Sequence, residues 1–199
     1  SDVCSSDLLD ANGDGKIDVS GTPDPTSTTQ DKVWLFLTMR RGGRFIYAMD
    51  VSQPLSPRLL WRKGCPSFET DATKVDAATG CDKGWGELGQ TWSEPKVISI
   101  NASTDPVLMF GAGYDSLVED VDPSTVSAVT STTVTATSGT YTRSMGRGLY
   151  VVNARTGDII WQARGSARTD GSTHPYKVVS GMDYSIPSDI SVVVGDSTP

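Results

Sequence analysis

An all-β fold is predicted by three features of the chain. Apolar residues recur in short runs of strand length, and no segment keeps a helical period beyond two turns. Twenty glycines and 11 prolines among 199 residues suit short strands joined by turns. One strand–turn–strand pattern also occurs twice, with Tyr47 and Tyr150 in matching positions. Composition narrows function at once. Seventeen Lys and Arg against 24 Asp and Glu leave a net charge of −7. That is the wrong sign for a nucleic-acid partner, whose phosphates need a basic footprint. No apolar run approaches the roughly 18 residues of a membrane-crossing helix. A single histidine, His174, argues against a histidine-based zinc site or a Ser/His/Asp triad.

Taken in order, residues 1–8 (SDVCSSDL) spell what a common sequencing-library adapter encodes, and they are expected to stand outside the fold. Setting them aside removes Cys4 and leaves Cys65 and Cys81. Residues 10–18 (DANGDGKID) follow, with oxygen-bearing side chains Asp10, Asn12, Asp14 and Asp18 at positions 1, 3, 5 and 9 of a loop. Gly15 at the sixth position permits a sharp turn, and Lys16 offers its backbone carbonyl. This spacing suits a hard cation, so calcium is expected, with an affinity on the order of 10⁻⁴ M or tighter. Gly21 stands where a helix–loop–helix hand has its bidentate Glu, so the loop is hand-like only at its start. The competing reading is an Asx-rich turn in water.

The first strong strand pattern is 33–39 (VWLFLTM), apolar on both faces, followed by a turn at 40–43 and a returning strand at 44–51. Arg40, Arg41 and Arg44 at this hairpin end read as a solvated turn rather than an anion site. Residues 59–61 (LLW) form a short third run. Residues 62–90 make a long loop in which Cys65 and Cys81 suggest a bridge. In an oxidising compartment such a bridge contributes roughly 3 kcal/mol; two free thiols are the alternative. Strand pairs are expected at 96–100 with 107–113 and at 148–153 with 158–163, and a last strand at 190–195. Asp115, Glu119, Asp120 and Asp122 read as an acidic solvated loop. The Ser/Thr/Val-rich tract 123–142 reads as a surface insertion without chemistry, or as an exposed hairpin.

The repeat carries the fold. Tyr47-Ala48-Met49-Asp50-Val51 leads to Leu59-Leu60-Trp61, and Tyr150-Val151-Val152-Asn153-Ala154 leads to Ile159-Ile160-Trp161. Trp92-Ser93-Glu94-Pro95 and Tyr184-Ser185-Ile186-Pro187 make a second pair. Each unit is a small antiparallel sheet whose Trp wedges against a neighbour, and such a sheet cannot cover both faces alone. Radial stacking of like sheets gives a β-propeller; a β-sandwich is the competing fold. The expectation is therefore a partial, quinoprotein-like propeller of about two blades plus the start of a third, filling residues 9–199. One blade lies at about 9–64 and a second at about 91–164, and the next opens at about 182–199. Trp34, Trp61, Trp92 and Trp161 read as blade packing. The chain stops just past a strand-like run, and a continuation is expected.

Several strings resemble the C-terminal propeller domain of the PilY1 family of type IV pilus tip proteins. They are VWLFLTMRRGGRFIYAMDVS (33–52), LLWRKGCP (59–66), GQTWSEPKV (89–97), VLMFGAGYD (107–115), GRGLYVVNARTGDIIW (146–161) and MDYSIPSDISVV (182–193). The resemblance implies a non-enzymatic module on the cell surface of a Gram-negative bacterium, exported through the periplasm to the outer membrane and pilus tip. It implies roles in pilus assembly, surface adhesion and twitching motility, with minor pilins and a host or abiotic surface as partners. It also implies a calcium loop, matched in kind by Asp10, Asn12, Asp14 and Asp18. Two alternatives share the propeller pattern. One is a dehydrogenase dependent on pyrroloquinoline quinone, for which the chain shows no adjacent Cys pair and no evident base. The other is a generic secreted propeller that binds protein or sugar.

Overall fold

The computed structural model describes residues 4–11, 13–19, 30–66, 80–100, 105–130, 132–143 and 145–193. Its first sheet is an antiparallel meander of β1 (Cys4–Leu9), β2 (Lys32–Thr38), β3 (Arg44–Asp50) and β4 (Arg58–Cys65), in that order. Alternate residues of β2 and β3 are buried, Trp34 and Phe36 on one and Ile46 and Ala48 on the other. This is the two-residue period of a strand with one face in the core. β4 is longer than the LLW run, because it pairs along the whole of β3, from Asp50 with Arg58 to Arg44 with Cys65. Ladder bonds are made by the main chain, so Arg62 and Lys63 continue the strand as readily as leucines do. The same reason overturns one expectation. Residues set aside as adapter-encoded form most of β1, paired from Cys4 with Leu37 to Leu9 with Lys32.

The second sheet begins with β5 (Lys96–Ile98) and β6 (Val107–Gly111). A one-turn helix α1 (Ser116–Glu119) and a 3₁₀ turn (Pro123–Thr125) follow. The Ser/Thr/Val tract is then a sheet of its own, built from β7 (Val126–Val129), β8 (Thr133–Ala136) and β9 (Gly139–Thr142). Val134 and Ala136 are buried beneath it, while Thr133 faces Thr142 and Thr135 faces Thr140. β10 (Gly148–Asn153) and β11 (Ile159–Arg164) return to β6, and β12 (Tyr176–Val178) runs parallel beside β11. The order is β12-β11-β10-β6-β5. The expected strand at 190–195 is absent from 190–193, and 194–195 lie outside the described residues. A strand needs a partner edge, and 188–193 find none among the described residues. Ile186 instead clips on as an isolated bridge: its carbonyl accepts from Gly113 N–H at 3.0 Å and its own N–H donates to the Gly146 carbonyl at 2.8 Å.

The two large sheets are true repeats. In the first, Ala48 faces Trp61 and Met49 faces Leu59, with Leu60 bulged out between them. In the second, Val151 faces Trp161 and Val152 faces Ile159, with Ile160 bulged. Both sheets contribute to one hydrophobic core. Trp34, Phe36, Ile46 and Trp61 belong to the first; Leu108, Phe110, Tyr150 and Val152 belong to the second. The fold is thus all-β, two propeller-like sheets sharing a seam, and the described residues do not close into a ring.

Trp61 is the wedge at that seam. Its Nε1–H donates to the Ala154 carbonyl at 2.9 Å. Its ring lies on Gly157, which has φ 71° and where an added Cβ would stand 2.7 Å from the ring. Only glycine meets both demands at that turn. Trp161, at the matching place in the second repeat, is 37% exposed. A Trp61→Phe substitution keeps a ring but leaves the Ala154 carbonyl unpaired, and should cost about 1–3 kcal/mol. Trp61→Ala should cost about 3–5 kcal/mol, against less than about 1 kcal/mol for Trp161→Ala. Urea unfolding followed by circular dichroism measures all three, and equal costs at the two tryptophans would contradict the wedge.

Candidate functional site

The acidic loop precedes β2 and curls around one carboxylate. Asp10 Oδ1 accepts from Gly13 N–H at 2.6 Å and Asp14 N–H at 3.3 Å, and Oδ2 accepts from Gly15 N–H at 2.7 Å. Asp14 Oδ1 in turn accepts from Lys16 N–H at 2.9 Å. Gly13 and Gly15 have φ of 76° and 79°, which lets the chain turn this tightly. Both ends are held by a residue the sequence reading missed. Asp31, 2% exposed and adjacent to β2, accepts from Ala11 N–H at 2.9 Å and from Asp18 N–H at 2.7 Å. No local motif marks Asp31, since its partners lie far back in sequence.

Of the expected metal ligands, Asp10, Asp14, Lys16 and Asp18 lie on this loop, and Asn12 lies outside the described residues. Among the described residues the loop carboxylates are not drawn into a group of three sized for a metal ion. The donor set itself fits calcium: carboxylates and a backbone carbonyl are hard oxygen ligands on a loop with the necessary glycine.

A second cluster of polar and charged groups lies in the seam. Cys65 and Cys81 are joined as a disulfide. The segment after it, residues 80–91, threads between the sheets. Thr91 bonds the β2–β3 hairpin through Arg40, Met39 and Gly43, and Gln90 and Tyr114 exchange backbone bonds at 2.9 and 2.8 Å. Glu87, fully buried, meets Arg147 Nε at 2.9 Å and Arg164 Nη2 at 3.3 Å. Burial pushes the Glu87 carboxyl up, against the pull of both guanidiniums. Arg44 is buried as well and donates to the carbonyls of Leu88 at 2.7 Å and Gly86 at 3.1 Å. It is a structural clamp, not the solvated turn expected of it. Arg41 does stand at the surface, paired with Asp120 at 2.9 Å.

The acidic cluster turns out to be largely capping. Asp115 is the N-cap of α1 and Asp122 that of the 3₁₀ turn, while Glu119 pairs with Arg143 at 3.3 Å. His174 has a partner that the sequence did not suggest. Arg168 Nη1 lies 2.8 Å from its Nε2, and the cationic guanidinium must be the donor. Burial, with Arg168 beside it, pushes the His174 pKa down to about 4. Trp34 and Trp61 are in the core as expected of blade packing, and Trp92 lies under the Arg40 guanidinium, 5.5 Å from its ring centre.

Fold and site together define a class: a disulfide-tied, all-β, propeller-like chain with an acidic turn pinned to the base of its first blade. No family model matches the chain, and no curated protein sequence matches it. Among solved structures it is similar to the crystal structure of the Pseudomonas aeruginosa PilY1 C-terminal domain, with a TM-score of 0.40 and 18% identity. That similarity covers 70% of this chain and 20% of the other, so the chain spans about a fifth of the structure it resembles.

One pH dependence follows from His174. Its folded pKa of about 4 lies below the 6.5 of an unperturbed histidine. Between those values the unfolded chain takes up a proton that the folded chain refuses, so this group's contribution is full above pH 6.5 and is lost as pH falls towards 4. Unfolding midpoints measured across that window should fall towards acid, and His174→Gln should flatten the slope. An unchanged slope in the variant would assign the effect elsewhere.

Proposed function

We propose that the chain is a non-enzymatic, calcium-binding propeller module of a type IV pilus biogenesis and tip-adhesin protein, working outside the cell. The observation that carries the calcium reading is the turn wound around Asp10 and tied at both ends to buried Asp31. Asp10, Asn12, Asp14 and Asp18 would supply side-chain oxygens, and Lys16 its carbonyl. Bound calcium would supply the positive charge that lets several carboxylates share one turn. The protein's own part is positional. Asp31 adjoins β2, so an ordered loop is an ordered entry to the first blade. Occupancy can therefore bias a local equilibrium at that edge. The pilus reading is supported by the sequence strings within 33–193 and by the adhesive context they imply, with minor pilins and a host or abiotic surface as partners.

Isothermal titration should show saturable calcium binding to the wild-type chain and none to Asp14→Ala. Asp31→Asn should bind roughly tenfold more weakly, as expected when the brace behind a ligand is loosened. Equal heats from all three proteins would remove the ion. Separately, deleting the gene in its host should reduce surface pili and twitching. Full piliation in the deletion strain would overturn the pilus reading while leaving the calcium result standing.

A further inference from the structure

A cleft of about 330 Å³ opens where the two blades meet, within the size range of small-ligand sites. Four separate segments line it: Lys63 from β4, Lys83 from the stretch after the disulfide, Asp158 from the β10–β11 turn, and Ser172 and Thr173 from the loop before β12. Its polar groups are unusual for an acidic protein. Neither Lys63 nor Lys83 makes an ion pair among the described residues. The stem of Lys63 lies over Gly157, where an added Cβ would stand 3.0 Å from Lys63 Cγ, so the turn's glycine leaves room for the lysine.

The nearby acid is committed elsewhere. Asp170 accepts from Gly84 N–H at 2.7 Å, from Ser172 N–H at 3.0 Å and from the Ser172 hydroxyl at 2.5 Å, and sits 3.4 Å from Arg168 Nε. Those bonds fix one wall of the cleft, and the Arg168–His174 contact fixes its end. Asp158, held by the Thr156 hydroxyl at 2.8 Å, is the one carboxylate on the lining. Two ammonium groups, one carboxylate acceptor and two hydroxyls match a ligand with one acid group and several hydroxyls. A dense anion such as phosphate would meet Asp158 as a like charge.

We propose that this interblade cleft binds a carboxylated sugar, a hexuronate unit of an acidic polysaccharide. Lys63 and Lys83 take the carboxylate; Asp158, Ser172 and Thr173 take ring hydroxyls. The site is separate from the loop at Asp10 and does not depend on the ion proposed there.

The test titrates the full chain, in calcium-containing buffer, with methyl glucuronide and with methyl glucoside, two sugars that differ only at the carboxylate. Saturable millimolar binding of the glucuronide is expected, weakened about tenfold or more for the glucoside and for a Lys63→Gln/Lys83→Gln variant. Lys177→Gln, on β12 outside the cleft, should bind as wild type. An unfolding curve coincident with wild type shows that the double variant is intact. No saturation, equal affinity for the glucoside, an unaffected double variant, or equal competition by triglutamate would each overturn the proposal, the last in favour of an acidic peptide.

Discussion

The structure depends on a buried ionic clamp. Glu87 sits between Arg147 and Arg164 with no exposure to water, and Arg44 reaches the carbonyls of Gly86 and Leu88 from the opposite sheet. Stripping water from such charges costs several kcal/mol each, and only close partners offset it. The turn segment carrying Glu87 is therefore fixed in one place, with Trp85 stacked on Tyr150 at 5.1 Å and Leu88 in the core. From that placement follow the Thr91 and Gln90 bonds that stitch one sheet to the next, and from those the seam in which Trp61 wedges. The disulfide anchors the start of the same segment to the end of β4.

Charge plays a different part at the other end of the first sheet. There the acidic groups stand at the surface, and the turn at Asp10 is shaped by the N–H groups of Gly13, Asp14 and Gly15 donating to its carboxylate. Asp31 ties that local curl to the blade, because its buried carboxylate accepts from the loop N–H groups of Ala11 and Asp18. The molecule thus separates two uses of acidic residues: Glu87 buried between two guanidiniums in the seam, and an exposed set that shapes the loop before β2.

Much of the architecture was legible in the sequence, because strand alternation and the repeated Trp are local signals. The VWLFLTM run, its hairpin partner and the two Trp-terminated returns all read correctly at that level. What escaped was set by distant partners. Arg44 looks like a solvated turn residue until Gly86 and Leu88 are brought to it. Asp31 carries no motif, and the donors that give it meaning lie across the loop. His174 looks solitary because Arg168 belongs to the same irregular loop, whose path no periodicity reveals. The letters of β1 spell an adapter, while main-chain pairing is indifferent to their origin. The strand expected after Tyr184 failed because an extended run needs an edge to join.

The bulges at Leu60 and Ile160 have a wider consequence. Each sits between the turn and the tryptophan, so the strand's registration is reset after the turn has been passed. Residues 51–57 in one unit and 154–158 in the other differ in length and composition, with prolines in the first and none in the second. Yet both tryptophans arrive opposite equivalent positions, Ala48 and Val151. The prolines and extra residues of 51–57 are thereby absorbed without displacing Trp61, while Ala154 and Gly157 of the shorter turn stay tied to that ring.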